Sequence, residues 1–239
     1  MKPRSSSRKD TSNTKSSPRS KPKDTIAGGE ILRRFFLLDP ANRGTILATE
    51  ETTMFKHLKT ALLPTLLLGT IFLPLAAQTN SKEANMKEIH QTLAVDLFNQ
   101  SWDLLLKPDR SPDETDILIN QVHASLWHWR QIGQPINILR GEWMVCHVYT
   151  LLEHPEAALY HANNVLRLKD EIQPTDWDLA YCYEAMARVM ALRQDREGFQ
   201  HWYALAVAAG KQIAAAGDRG QFEADLNDDF WFGMQYQAE

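Results

Sequence analysis

The chain has 239 residues and a formal net charge of −4, a length that suits one medium domain plus an extension. The charge is uneven: residues 1–85 carry 14 Lys and Arg against 7 Asp and Glu, whereas residues 86–239 carry 12 against 23. The acidic second part disfavours nucleic acid, whose phosphates are bound by Lys and Arg, and favours a basic or neutral partner.

Residues 1–53 begin with MKPRSSSRKDTSNTKSSPRSKPKD, which is rich in Ser, Lys and Arg and has almost nothing apolar to bury. Such a composition cannot offset the entropy lost on ordering, and it predicts a disordered basic extension.

Residues 54–85 are predicted to be a hydrophobic signal-like or anchor segment followed by a linker. Two lysines precede an uncharged, mostly apolar run at 60–77 that ends in LAAQ, the layout of a secretory signal. The run is short for a membrane span, which needs about 20 apolar residues. Three interpretations stay open: an exported protein that starts at Met54, a membrane anchor formed by 60–77, or a cytoplasmic protein that starts at Met86.

From Met86 onward, helix-length segments alternate with turn and cap signals. Ser111, Pro112 and Glu114 form a helix-start signature, and Gly133 marks the end of that helix. Asp195 is predicted to cap the sixth helix and Gly217 to end it. The seven predicted helices span 87–106, 112–132, 135–153, 155–171, 177–193, 196–216 and 219–229. Short turns make neighbours antiparallel, so 86–239 is predicted to be an all-α module of three hairpins with a C-terminal cap that includes DDFWFG at 228–233.

A weak repeat with a period of 41 relates the hairpin over 135–171 to the one over 177–216. Small and aromatic residues at matching offsets allow such hairpins to stack as a short tetratricopeptide-like solenoid. The period departs from the usual 34, and Phe199 stands where a small residue is expected.

The stretches HAS (123–125), HW (128–129), RGEW (140–143), ALYHA (158–162), DWDLA (176–180) and YEAMAR (183–188) carry a family resemblance. Through them, residues 86 to about 220 resemble a family of small bacterial proteins with tetratricopeptide-like folds. The resemblance implies stacked helical hairpins and a module that begins near Met86. It brings no biochemical function with it.

The stretch HASLWHW at 123–129 raises the question of a metal site. Helical spacing predicts Trp129 in the core, His123 on a second stripe with Trp127, and His128 facing solvent. The two histidines lie about 140° apart around the helix, whereas two ligands from one helix usually sit three or four residues apart. The two cysteines lie in apolar helical patterns without zinc-finger spacing. We therefore expect buried free thiols, no metal and no cofactor.

Charged residues fall in helices that are apolar nearly all round. Arg140 and Glu142 therefore need partners, because an unpaired buried charge costs several kcal/mol. Glu184 and Arg188 are spaced as an intrahelical ion pair. One interpretation is a salt-bridge network between hairpins, and the other is a concave partner-binding groove. The groove hypothesis includes His123, Trp127, Arg140, Glu142, Tyr149, His161, Tyr183, Glu184 and Arg188.

Within this set, we expect Arg140 and Glu142 to be structural, and Tyr183 and Arg188 to lie nearer the open face. No residue has the context of a catalytic nucleophile, and there is no Gly-rich phosphate loop. The predicted function is a non-enzymatic scaffold that binds a peptide or protein, with membrane contact only through 60–77. The alternative is a small-ligand-binding or enzymatic protein that uses a polar-aromatic groove around Arg140, Glu142 and His161.

Overall fold

The computed structural model describes residues 73–228 and 230–237, and all regular elements in these ranges are α-helices. The helices are α1 (Leu73–Leu105), α2 (Pro112–Ile132), α3 (Pro135–Leu151), α4 (Pro155–Ile172), α5 (Asp176–Leu192), α6 (Arg196–Gly210) and α7 (Ala216–Leu226). The predicted all-α class is confirmed. The predicted disordered extension at 1–53 lies outside the described residues. So do most of the predicted hydrophobic segment and linker at 54–85 and most of the apolar run at 60–77. No helix of the described part is long and apolar enough to cross a membrane.

The helices pack as three stacked antiparallel hairpins. The closest pairs are α1 with α2, α3 with α4, and α5 with α6, and α3 joins the second hairpin to α2 and α5. The helix α7 packs on α5 and α6. The arrangement places α3 in the middle of the stack, where every residue from 141 to 148 is buried.

Several helix ends follow the chemistry of the sequence. The Ser111 side chain accepts a hydrogen bond from the Glu114 amide, and the Glu114 carboxylate accepts one from the Ser111 amide. Gly133 ends α2 in the left-handed region at φ 72°, a conformation that costs glycine little. Asp195 caps α6 by accepting a 3.0 Å hydrogen bond from the Gly198 amide. The predicted capping box, glycine end and aspartate cap are therefore confirmed.

The backbone of the second and third hairpins repeats with a period of 41. The first helices begin at Pro135 and Asp176, and both turns contain a residue in the left-handed region, Glu153 at φ 57° and Gln194 at φ 59°. Each turn is closed by a 2.9 Å amide-to-carbonyl hydrogen bond, from residue 154 to 149 and from residue 195 to 190. The two hairpins therefore have equivalent positions 41 residues apart.

The predicted bounds are wrong at the start of the first helix, at the end of the sixth, and at both ends of the seventh, which spans Ala216–Leu226 rather than 219–229. The first helix begins at Leu73 rather than at residue 87, and the intervening segment contains three Ala and two Leu, which favour helix. The sixth helix ends at Gly210, and Gly217 lies inside α7 rather than at a helix end. A Cβ at Gly210 would lie 2.5 Å from the Phe222 ring, so the close approach of α7 requires glycine there.

The segment after α7 caps the last hairpin. Trp231 is buried, with its ring 5.6 Å from that of Phe199 and 5.0 Å from that of Tyr203. The Tyr236 ring stacks on Tyr203 at 4.6 Å. The Trp231 ring of the DDFWFG segment thus packs on the last hairpin, as a cap would. Both cysteines are buried and unpaired, as predicted.

Candidate functional site

The first charged group, the Arg188 network, lies in the interior and consists of Glu184, Arg188 and Asp228. Arg188 is 3% exposed and donates to the Glu184 carboxylate and, at 3.1 Å, to Asp228. Its guanidinium also donates to the backbone carbonyls of Asp225 at 2.9 Å and Phe230 at 3.1 Å. The expectation that Arg188 lies near an open face is wrong, because the cap covers it.

The network is joined to the middle hairpin by Trp143, whose indole nitrogen donates to Glu184 at 3.1 Å. Burial by itself would lower the pKa of Arg188, but the adjacent Glu184 and Asp228 carboxylates outweigh it and raise that pKa. These contacts connect α3, α5 and the C-terminal segment.

Arg140 has a separate partner on α5. Its guanidinium donates two hydrogen bonds to the Asp178 carboxylate, both at 2.9 Å, and lies 4.5 Å from the centre of the Trp177 ring. The pair ties α3 to α5, in agreement with a structural role for Arg140. Arg140 therefore bonds across to α5, whereas Glu142 bonds to α2 and α4.

The second charged group centres on Glu142, which is 1% exposed. Its carboxylate accepts hydrogen bonds from Arg130 of α2, from His161 Nδ1 of α4 at 2.6 Å, and from the Asn164 amide of α4 at 3.3 Å. Burial opposes ionisation of Glu142, yet these three partners outweigh it and lower the pKa of the carboxyl group. A charged carboxylate therefore holds α2, α3 and α4 together.

His123 and Tyr149 adjoin this carboxylate. The His123 Nε2 atom is hydrogen-bonded to the Tyr149 hydroxyl at 2.9 Å, and the His161 ring lies 5.5 Å from His123 and 5.8 Å from Tyr149. Burial, and then the electrostatic effect of the neighbouring His161, lower the pKa of His123. The Glu142 cluster comprises His123, Arg130, Glu142, Tyr149, His161 and Asn164.

Exposed aromatic side chains lie next to this cluster. Trp127, four residues after His123 on α2, is 52% exposed, and Tyr160, beside His161 on α4, is 65% exposed. The Arg130 side chain, which donates to the Glu142 carboxylate, is 45% exposed. The Glu142 cluster thus has a buried carboxylate and a polar-aromatic outer surface.

His128 does not face solvent freely, contrary to the prediction. Its Nδ1 atom lies 2.8 Å from Nδ1 of His90, and both rings contact Trp127, at 4.8 and 5.4 Å between centroids. The reason is that α1 extends past this turn of α2. Trp129 is buried in the core as predicted.

Tyr183 lies in a third group, on the other side of α4. Its ring stacks on Trp202 of α6 at 6.2 Å, and the Lys169 ammonium of α4 lies 5.6 Å above it. We refer to Lys169, Tyr183 and Trp202 as the Tyr183 cluster. It is aromatic and has no carboxylate at its centre.

The structure therefore brings together four of the nine predicted site residues, His123, Glu142, Tyr149 and His161, and places Trp127 at their margin. Arg140, Tyr183, Glu184 and Arg188 lie elsewhere. The predicted set omitted Arg130 and Asn164, although helical spacing offered a signal for both. Arg130 is seven residues after His123 on one stripe of α2, and Asn164 is three after His161.

Two shallow cavities are lined by other residues. One lies between α6 and α7, beside Tyr203 and Phe222, and the other lies beside Met86, His90 and Gln131. Neither is lined by a member of the Glu142 cluster. Among the side chains that the structure describes, no three His, Cys, Asp or Glu converge as metal ligands would.

No family model matches the chain, and no curated protein or solved structure does either. The resemblance to the tetratricopeptide-like family stays a prediction.

Proposed function

We propose that the protein is a non-enzymatic helical-repeat scaffold that binds a peptide or protein segment across α2 and α4. The observation that supports this most directly is the composition of the Glu142 cluster and its margin. Buried hydrogen-bonding groups lie beneath exposed Trp127, Arg130 and Tyr160. Trp, Tyr and Arg are the residue types that most often dominate binding energy at protein interfaces.

The proposed surface differs from the groove expected from the repeat pattern. The first helices α3 and α5 are buried along most of their length, so they do not line an open inner face. Accessible polar and aromatic groups lie instead where α2 and α4 meet above α3. A partner that lies across these helices would contact Trp127 and Tyr160 at either side.

The charge of the chain favours a particular class of partner. Residues 86–239 carry an excess of acidic residues, so a segment that is basic or neutral overall would meet the smallest electrostatic barrier. Neither of the two cavities described above is lined by the cluster, so its exposed aromatic margin suits an extended segment better than an enclosed small molecule.

Selection of random peptides displayed on phage against the full chain tests the proposal. Selected peptides should bind the wild type, and Tyr160→Ser should weaken binding by about tenfold or more, the loss expected of an interface aromatic. The control is His201→Ser on α6, an exposed histidine far along the chain from the cluster. Trp127→Ser provides a second variant. If every selected peptide binds the wild type, Tyr160→Ser and Trp127→Ser equally well, the proposed surface is wrong.

A further inference from the structure

The first hairpin has one side that faces away from the rest of the stack. The Trp102 ring of α1 lies 6.3 Å from a tryptophan ring of α3, and Leu126 of α2 packs against Gly141 of α3. These side chains mark the side that faces the second hairpin. Nine residues make two and a half turns of an α-helix, so Leu93 and Ile117, each nine residues earlier, lie on the opposite side.

This opposite side is apolar and exposed. We define the end face as Met86, Ile89, Leu93 and Gln100 of α1 with Ile117 and Gln121 of α2. Its four apolar side chains are between 39% and 50% exposed in the described part of the chain. The two glutamines join α1 to α2 through a 3.3 Å hydrogen bond.

The other end of the stack is built differently. There α7 packs on α6 through Phe222, and Trp231 covers the last hairpin. Terminal units of a helical-repeat stack need a cover or a polar outer face to remain soluble. The end face has neither within the described residues, so it is a surface that a partner would cover.

Charge favours a second copy of the chain as that partner. No member of the end face is charged, although residues 86–239 carry 12 Lys and Arg against 23 Asp and Glu. Two acidic chains pair best through an uncharged surface, because like charges would otherwise meet across the interface. A basic segment would gain no attraction there, and an anionic lipid surface would repel the acidic module.

The spacing of the stripe on α1 suits a two-fold axis. Ile89 and the half-buried Leu97 lie four residues on either side of Leu93, and Met86 and Gln100 lie seven residues on either side. Two antiparallel α1 helices with Leu93 on the axis would therefore place Ile89 opposite Leu97 of the partner subunit. In the same way, Met86 would lie opposite Gln100 of the partner subunit.

The size of the surface sets the expected affinity. From residue 86 to residue 104, two helices side by side cover about 27 Å by about 20 Å, or about 500 Å² on each protomer. A total of about 1,000 Å² is near the lower limit for a specific interface. The dimer should therefore be weak.

We propose that the end face is the interface of a homodimer, in which the first hairpins of two chains pack back to back around Leu93. This inference is independent of the proposed scaffold function, because Tyr160 lies on α4 outside the end face. The pair would present two copies of the proposed partner surface.

Sedimentation equilibrium of the full chain between about 1 and about 200 µM tests the inference, with an expected dissociation constant of about 1–100 µM. Leu93→Glu would bring two carboxylates together at the axis and should weaken association by about thirtyfold or more. Ile89→Glu is a second variant if the first loses helical content. The control, Tyr160→Glu, makes the same change at an exposed side chain of α4 and should leave association unchanged.

A monomer throughout this range would overturn the inference. So would association that Leu93→Glu and Ile89→Glu leave as strong as in the wild type, because the contact would then lie elsewhere, for example in the apolar run at 60–77. Loss of peptide binding in Tyr160→Ser with association retained would concern the proposed function alone.

Disulfide formation tests the two-fold arrangement. Leu93→Cys should oxidise to a linked dimer, because residues on the axis come within the roughly 7 Å between Cα atoms that a disulfide spans. The native cysteines are buried and do not interfere. Ile89→Cys and Leu97→Cys should link more readily when mixed than either does alone. Linking of Leu93→Cys no faster than of Tyr160→Cys, or no preference for the mixed pair, would each overturn the inference.

Discussion

The Arg188 network and the Glu142 cluster are built from the same pair of residue types in two different settings. Both contain a glutamate that is 1% exposed and is paired with an arginine. The arginine side chain is 3% exposed in the network and 45% exposed in the cluster. In the network, Arg188 donates to two carboxylates and two carbonyls, whereas Arg130 donates to one carboxylate. Burial and donor use, rather than the ion pair itself, distinguish a structural charge from one available to a partner.

The largest expected effect is that of Arg188→Gln. The change leaves Glu184 buried without its cation and detaches Asp228 from α5, so the free energy of unfolding should fall by about 3–5 kcal/mol. Urea denaturation measures the loss. The control is Arg193→Gln, whose partner Glu156 is 3.8 Å away and largely exposed; its loss should stay within about 1 kcal/mol. Equal losses in both variants would contradict the structural role of the network.

The next effect is a pH dependence that arises beside the network. His147 is buried, its ring stacks on Trp143 at 4.8 Å, and burial together with Arg188 lowers its pKa to about 3. The unfolded chain binds a proton below about pH 6.5, whereas the folded chain does not, so stability falls as the pH falls below that value. Between about pH 6.5 and pH 4.5 the loss should reach about 2.3 kcal/mol.

The variant His147→Phe keeps an aromatic ring and should remove this part of the pH profile. Asp225 acts in the opposite sense, because burial raises its pKa to about 6 and its proton is retained in the fold as the pH falls. The difference between variant and wild type therefore isolates His147. Urea denaturation of both proteins at several pH values measures this difference. Parallel pH profiles for the wild type and His147→Phe would contradict the burial of His147.

A smaller difference in the free energy of unfolding should separate substitutions of the two buried glutamates, Glu142 and Glu184. Glu142→Gln keeps the shape of the side chain and leaves Arg130 half in solvent, so the loss should be about 1–2 kcal/mol. Glu184→Gln leaves Arg188 in the interior with one carboxylate fewer, and the loss should be about 3 kcal/mol or more. Thermal melts of the two variants in parallel measure the difference, and the reverse order would show that the cluster is the more buried of the two.

The smallest effect is expected for Arg130→Gln. Glu142 keeps its hydrogen bonds from His161 and Asn164, and a half-exposed arginine contributes little, so the loss should be about 1 kcal/mol or less. Urea denaturation of this variant measures the loss. A loss as large as that of Arg188→Gln would make the cluster a second structural network.

Local chemistry allowed much of the fold to be predicted from the sequence. Ser111 with Glu114, the left-handed Gly133 and the Asp195 cap each act through their own backbone neighbours, so their effects can be read along the chain. The end of α6 could not be predicted in this way. The segment after Gly210 is rich in alanine and favours helix, but Phe222 packs on Gly210, and Asp176 accepts a 2.9 Å hydrogen bond from the Ala214 amide. These tertiary contacts outweigh local propensity.

The charged partners were predictable only in part. The sequence indicated that Arg140 and Glu142 need partners, and that Glu184 can pair with Arg188 four residues later. It gave no means of choosing Asp178 for Arg140 or Asp228 for Arg188, because these residues lie 38 and 40 positions away. Such pairings depend on how hairpins stack, and the same limit applies to the site, whose residues come from three helices.

The shared turn geometry of the second and third hairpins has a consequence for the length of the stack. Residues 153 and 194 have nearly the same backbone angle, and the hydrogen bonds that close the two turns have the same length. A further 41-residue unit placed before α5 would therefore meet the same interface that α3 and α4 present to α5. An additional copy of a hairpin inserted at the turn before Asp176 should be accommodated as a modular extension, with the C-terminal cap displaced outward as a block.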